Sequence, residues 1–130
     1  MVTQNILATT MNTIKLAERR GKAFCIVEGA SRLVGYVLNV VQKNGYIGEF
    51  EYIDDGRGGK FKVQLLGRVN DCGVIIPRVS VDSKHVDQLA TRYLPSKDVG
   101  ALVLSTPAGV FSHREMRDKN TGGVAIAYIY

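Results

Sequence analysis

The N-terminal part of the chain shows helical spacing of apolar residues, followed by a short strand pattern. Within residues 5–20 the apolar positions lie three or four residues apart, at Leu7, Met11 and Ile14. This spacing predicts an amphipathic helix whose opposite side carries a polar, basic stripe. The β-branched and aromatic run at 23–27 predicts a strand, and residues 31–43 predict a second helix that is largely buried.

The middle of the chain has the pattern of a hairpin followed by a linker. Residues 46–53 alternate between apolar and acidic side chains, which predicts a strand. The Asp- and Gly-rich segment 54–59 predicts a turn, and residues 60–66 predict the returning strand. The two adjacent aspartates of this turn are better explained as turn formers than as metal ligands. Residues 67–73 then predict a linker.

The C-terminal half has mainly strand-like patterns. Residues 74–81 predict an extended segment, and Pro77 within it indicates a sheet edge or a bulge because proline cannot donate a ladder hydrogen bond. A short helix is predicted to end at Ala90. Two further apolar runs predict a core strand and a final strand, at residues 99–104 and 124–130.

Together these patterns predict an α+β fold made of two small α/β subdomains. The first, residues 1–68, has the order α-β-α-β-β, and the second, residues 69–130, is mostly β with short helices. A chain of 130 residues is long enough to bury a core without disulfide or metal staples.

A compact motif near the C-terminus joins a strand exit, a tight turn and a helix start. Pro107 and Gly109 preset the backbone of the turn and allow a ligand to approach it closely. Ser112 and Glu115 match the capping box that opens a helix. Such a turn before a helix N-terminus suits an anion such as phosphate. An ordinary strand-turn-helix connection would have the same pattern.

Composition and charge favour a folded protein with a polyanionic partner. The chain has 17 Lys and Arg against 12 Asp and Glu, a net charge of +5 and a pI near 9.4. This excess suits RNA, although many basic proteins bind no nucleic acid. Cys25 and Cys72 lie far apart, which argues against a zinc ribbon or a disulfide scaffold and favours buried thiols in a reducing compartment. No leader-like or membrane-spanning run occurs in the sequence, so a cytoplasmic location is expected.

The sequence has few residues arranged for catalysis. The candidate nucleophiles and bases are scattered along the chain: Cys25, Cys72, His85, Ser105, Ser112 and His113. The two histidines are not at ligand spacing, and neighbouring side chains such as Ser112 and His113 diverge at a helix start. We therefore expect no enzyme, no cofactor and no metal site. The alternative is a small phosphate-binding enzyme that uses the Ser105–Gly109 turn.

The motif near the C-terminus contains Leu104-Ser105-Thr106, Val110, Ser112 through Arg117, and Gly122-Gly123 before the final strand. These residues resemble the signature of the ribosomal protein S8 family of the small ribosomal subunit. The resemblance extends over nearly the whole chain and includes three more segments, at residues 44–51, 67–78 and 94–96. The last two segments are similar to the archaeal and eukaryotic branch of the family.

The resemblance implies a primary rRNA-binding protein that contacts the central domain of the small-subunit rRNA and supports its folding and subunit assembly. Neighbouring small-subunit ribosomal proteins would be further partners, with no membrane and no small-molecule substrate. The matching positions imply the following RNA-binding residues: Lys15, Ser31, Arg32, Ser105, Thr106, Gly109, Arg114, Arg117, Gly122 and Gly123.

Some residues of this surface also have a structural explanation. Ser31 suits the N-cap of the second helix, and Val110 suits core packing more than RNA contact. The chain has Ala108 and Val124 where the bacterial branch commonly carries a lysine and an acidic residue. The contacts of those two side chains are therefore not carried over, whereas backbone and hydroxyl contacts are.

Overall fold

The computed structural model describes residues 2–28, 32–54, 56, 59–96 and 99–130. Helices and strands follow one another along these residues. In chain order they are α1 (Val2–Arg19), β1 (Phe24–Glu28), α2 (Arg32–Lys43), β2 (Ile47–Ile53), β3 (Lys60–Leu65), β4 (Cys72–Val81), α3 (Val86–Tyr93), β5 (Ala101–Thr106), β6 (Gly109–Ser112), α4 (His113–Asp118) and β7 (Gly123–Ile129).

The N-terminal half forms an antiparallel sheet with two helices against one face. Its strands lie in the order β1-β3-β2. The register pairs Cys25 with Val63 and Val27 with Phe61, and all four side chains are buried. They share one hydrophobic cluster with the apolar sides of α1 and α2. The alternation of side chains along β1 thus gives the sheet one covered face and one face toward solvent.

The C-terminal half forms a second antiparallel sheet that is covered on both faces. Its strands lie in the order β4-β7-β5-β6. In β5, Ala101 and Val103 join the cluster of α1 and α2, whereas Leu102 and Leu104 join a second cluster with α3 and α4. A strand buried on both sides has a continuous apolar run, which is the pattern that predicts a core strand here.

The predicted α+β class is confirmed, whereas several element boundaries differ from the prediction. β4 begins at Cys72, inside the predicted linker, because Cys72 pairs with Ile129. α3 continues to Tyr93, and the Leu94 N–H still donates to the Ala90 carbonyl. β6 has no counterpart among the predicted strands, since four residues between a turn and a helix are too few to show alternation.

The sequence predicts a sheet edge or a bulge at Pro77, and the structure has both. β4 lies at the edge of the second sheet, and its register with β7 shifts between Val74 and Val79, around the proline. An edge position leaves one row of backbone groups outside the ladder. The missing N–H of Pro77 therefore costs little there.

Polar side chains of α1 hold the connection between the two sheets. The Glu18 carboxylate accepts the backbone N–H of Gly67 at 3.3 Å and that of Val69 at 2.9 Å. One turn earlier, Lys15 forms an ion pair with Asp71 at 2.8 Å. Because the connection is bonded to α1 at three points, the helix fixes where the second sheet begins.

The hydrophobic cluster beside α1 contains side chains from both halves of the chain. Cys72 and Ile129 of the second sheet lie in the same cluster as Met11 and Ile14 of α1. The Cys72 thiol also donates a buried hydrogen bond to the Met11 carbonyl, with Sγ 3.2 Å from the oxygen. The two sheets thus share one core, and a subdomain boundary between residues 68 and 69 stays a prediction.

Asp71→Asn should lower the free energy of unfolding near pH 7 and have a smaller effect near pH 3. The hydrogen bond from the Lys15 ammonium holds the pKa of the Asp71 carboxyl below its ordinary value of 3.8. A carboxyl with a lower pKa in the folded state stabilises the fold above its unfolded pKa, and this contribution is lost as the pH falls through the folded value. Urea unfolding at the two pH values measures the difference.

Lys15→Met is the matched partner variant for this experiment, because it removes the cation and keeps most of the aliphatic stem. In the double variant the second substitution should cost less than it does alone, since the ion pair is already broken. Additive losses, or an effect of Asp71→Asn that is the same at both pH values, would contradict the ion pair.

Candidate nucleic-acid interface

β5 and β6 form a hairpin with a two-residue turn, Pro107 and Ala108. Thr106 pairs with Gly109 across the hairpin. The Thr106 hydroxyl accepts the Ala108 N–H at 3.2 Å and donates to the Gly109 carbonyl at 2.8 Å. Gly109 has φ +138°, a conformation that side-chain-bearing residues rarely adopt. The turn is therefore held by its own threonine and by a glycine.

Ser105 differs from Thr106 in how its hydroxyl is used. The Ser105 side chain is half-buried and makes no hydrogen bond to any residue that the structure describes. The single hydroxyl proton of Thr106 is already donated within the turn. Ser105 can thus both donate to a ligand and accept from it, whereas Thr106 retains only spare acceptor capacity.

A groove of about 560 Å³ lies between this hairpin and the start of α2. We call it the hairpin groove; it is lined by Leu33 and Tyr36 of α2 and by residues 105–110. The Tyr36 side chain is 55% exposed. Val110, at the opposite wall, packs against the core shared by the two sheets, as its sequence pattern suggested. The groove therefore combines an open aromatic ring with hydroxyl and backbone groups.

Gly123 lies so close to the hairpin that it leaves no room for a side chain. A Cβ atom at this position would lie 2.9 Å from both the Ser105 carbonyl oxygen and the Thr106 methyl carbon. Gly122 is less confined, with the Val81 carbonyl oxygen 3.5 Å from the corresponding position. The glycine pair thus allows β7 to start between β4 and β5, and it brings Gly123 next to Ser105 and Thr106.

α4 follows the hairpin and is held by a cap and by an ion pair. The Ser112 hydroxyl accepts the Glu115 N–H at 3.3 Å, which is the predicted N-cap bond. Arg117 reaches α3, where one guanidinium nitrogen lies 3.0–3.1 Å from both carboxylate oxygens of Asp87. Arg114 is half-buried on the same short helix. The arginines predicted to contact phosphates thus have different surroundings, and Arg117 already has an anionic partner.

The remaining predicted RNA-binding residues come from the N-terminal half. Arg32 is exposed at the first position of α2, next to Leu33 of the hairpin groove. Lys15 is absent from the groove lining and forms the ion pair with Asp71. Ser31 lies outside the described residues. The structure thus brings Ser105, Thr106 and Gly109 together with the start of α2, but not with Lys15.

Tyr36 is the residue that the sequence interpretation missed. It lies four positions after Arg32, and Arg32, Tyr36, Asn39 and Lys43 are all exposed along one side of α2. This spacing could have identified an aromatic residue on the polar side of an otherwise apolar helix. The hairpin across the groove, however, is about 70 positions away in sequence.

The buried titratable groups outside this surface have structural roles. Burial raises the pKa of Cys25 to about 11 and that of Cys72 to about 12, so both thiols stay protonated at neutral pH. His113 is fully buried, and its Nδ1 accepts the Leu102 N–H at 3.1 Å. Among the described residues, no group of three or more His, Cys, Asp or Glu could hold a metal ion, and no helix is long and apolar enough to cross a membrane.

The fold and the groove define a small, basic α+β protein with an open groove that presents an aromatic ring, hydroxyl groups and backbone groups. The family model described as Ribosomal protein S8 matches residues 5–130. The small ribosomal subunit protein uS8 of Aeropyrum pernix is 50% identical over 133 aligned positions, and that of Caldivirga maquilingensis is 47% identical over 130. Both alignments cover the whole of this chain and of its relative. The chain belongs to the ribosomal protein S8 family.

Family membership decides between the alternatives for function. Members of this family are structural ribosomal proteins of the small subunit and not enzymes. The alternative of a small phosphate-binding enzyme at the Ser105–Gly109 turn is therefore not supported. Both relatives are archaeal proteins, in agreement with the archaeal and eukaryotic character of segments 67–78 and 94–96.

Proposed function

We propose that the chain is a primary rRNA-binding protein that contacts the central domain of the small-subunit rRNA. In this role it supports folding of the rRNA and assembly of the small subunit in the cytoplasm, next to neighbouring small-subunit proteins. The observation that carries the proposal is the hairpin groove, in which the start of α2 and the β5–β6 turn form the two walls of one open site.

The groove has the chemistry needed to bind an irregular region of an RNA helix. An A-form duplex hides its major-groove base edges, so proteins recognise its minor groove, its 2′-hydroxyls and unstacked loop bases. The Ser105 hydroxyl can donate a hydrogen bond to a sugar or a base edge, or accept one from it. The exposed ring of Tyr36 can stack on a base that has left its helix.

Charged side chains around the groove supply the sequence-independent part of binding. Arg32 is exposed beside it and forms no ion pair with a described residue, so it can contact a phosphate. We propose Lys15, Ser31, Arg114 and Arg117 as further contacts. Gly109, Gly122 and Gly123 would let the RNA backbone approach the hairpin closely. The net charge of +5 agrees with a polyanionic partner.

Binding to a central-domain rRNA fragment, compared with a length-matched duplex at two salt concentrations, tests the proposed function. The parent chain should prefer the fragment at both concentrations. Ser105→Ala should weaken fragment binding about three- to tenfold, as expected for the loss of one hydrogen bond, without changing stability. Thr106→Val is a poorer test, because it also removes the hydrogen bonds inside the turn. Equal, salt-sensitive binding to both RNAs would refute the proposal.

Tyr36→Ala should reduce affinity for the rRNA fragment about 5- to 150-fold, because base stacking on an aromatic ring contributes about 1–3 kcal/mol. Tyr36→Phe should keep most of the affinity. Tyr52→Ala is the matched control, since Tyr52 is similarly exposed at 57% but lies on β2, outside the groove lining. Similar losses for Tyr36→Ala and Tyr52→Ala would show that the ring at the groove has no specific role.

Arg117→Gln should reduce the slope of log affinity against log salt by about one unit if Arg117 contacts a phosphate. Asp87→Asn is the control, because it breaks the same ion pair and leaves the guanidinium in place. The control should retain the parent slope. A slope for Arg117→Gln equal to that of the parent would leave Arg117 with its structural role alone.

A further inference from the structure

β1 is an edge strand whose outer backbone groups have no partner among the described residues. Within the part of the chain that the structure describes, it pairs only with β3, in a regular register. The Leu65 N–H donates to the Ala23 carbonyl at 2.8 Å, so these two residues form a hydrogen-bonded pair. Alternation along an antiparallel ladder then directs the backbone N–H and C=O of Cys25 toward β3 and those of Phe24 and Ile26 away from the sheet.

The other sheet edges in the described part of the chain carry features that discourage strand addition. β2 has a register break between Ile47 and Phe50 and an exposed glutamate, Glu49. β4 contains Pro77, and β6 packs against α2. Proteins protect their sheet edges with such bulges, charges, prolines and covering elements. The regular edge at Phe24–Glu28 has no bulge and no proline, and its exposed charge, Glu28, lies at the end of the strand.

Apolar side chains and a groove lie beside this unprotected edge. Leu16, Phe24 and Ile26 are 40%, 49% and 43% exposed, respectively. A groove of about 410 Å³ runs between α1, from Thr13 to Arg20, and the β1 segment. We call it the edge groove. A strand added beside β1 would direct every second side chain into the edge groove and place the others along Phe24 and Ile26.

The charges around the edge groove indicate the kind of occupant. Arg20 and Lys22 line it, and the Lys62 ammonium lies 4.7 Å from the centre of the Phe24 ring. An acidic side chain would find a cation there. RNA is a poorer fit, because the outward carbonyl groups and the exposed Glu28 would repel phosphates. Free strand hydrogen bonds and apolar side chains favour a polypeptide.

We propose that the free edge of β1 binds an extended segment of a neighbouring ribosomal protein as a fourth strand of the first sheet. The segment alternates apolar residues with at least one acidic side chain that reaches Lys22 at the edge groove. A second copy of this chain is disfavoured, because each copy carries a net charge of +5. The inference rests on the proposed function, which places the chain in the assembled subunit.

Amide hydrogen exchange in three states tests this proposal: the free chain, its complex with the central-domain rRNA fragment, and assembled small subunits. The Phe24 and Ile26 amides should exchange rapidly in the first two states and at least about tenfold more slowly in the third. The Cys25 and Val27 amides are internal controls, because β3 already protects them. A carbodiimide crosslink from Lys22 to a carboxylate of another small-subunit protein should accompany the protection.

Ile26→Lys places a charge on the edge and should abolish the protection of the Phe24 amide in subunits, while affinity for the rRNA fragment stays equal to that of the parent. Ile53→Lys is the matched control, because it adds the same charge to the opposite edge of the sheet. It should leave the protection intact.

Five outcomes would overturn the inference. Protection in the rRNA fragment complex would mean that RNA covers the edge. Unchanged exchange in subunits that contain the chain would mean that the edge stays open. Protection without a crosslink to a protein carboxylate, or a dimer of the free chain with a protected edge, would exclude the proposed partner. Failure of the chain to co-sediment with subunits would instead refute the proposed function, and this inference with it.

Discussion

The arrangement of both sheets depends on how α1 is held between them. Its apolar side, including Leu7 and Ile14, is fully buried in the core that the two sheets share. Burial of apolar surface is non-directional, so by itself it would allow the helix to slide or rotate against either sheet. Hydrogen bonds are directional, and the carboxylate of Glu18 bonds two backbone N–H groups of the connecting segment. Together with the Lys15–Asp71 ion pair, these bonds fix the position of α1 relative to the segment that connects the two sheets.

The hairpin groove depends on this fixed arrangement, because its walls come from different halves of the chain. One wall is the start of α2, and the other is the β5–β6 hairpin. Leu33 and Val110 link the two walls to the same core, since both pack against the shared hydrophobic cluster. A stacking ring and a hydroxyl can act on one RNA region only if their separation is constant. The shared core, more than either sheet alone, provides that constancy.

Local sequence patterns predicted those elements whose own residues show a regular apolar spacing or restrict the backbone. The spacing of Leu7, Met11 and Ile14 is enough for α1, and the missing N–H of Pro77 is enough for a sheet edge or a bulge. Cys72 could not be assigned to β4 in the same way, because its strand character comes from pairing with Ile129. The exposure of Tyr36 follows from helical spacing, but its place beside Ser105 depends on tertiary packing.

The predicted site residues are of two kinds. In some, the polar side-chain atoms already bond another residue of the protein, and in others they have no such bond to a described residue. Thr106 donates its proton within the turn, Arg117 bonds Asp87 and Lys15 bonds Asp71. For such groups a bond to RNA replaces an existing bond, so the net gain in binding free energy is small. The Ser105 hydroxyl has no internal partner among the described residues, so a hydrogen bond to RNA would replace only a hydrogen bond to water. The free energy that discriminates one RNA from another should therefore come mainly from Ser105 and the exposed ring of Tyr36. The paired cations, Lys15 and Arg117, should mainly stabilise the fold.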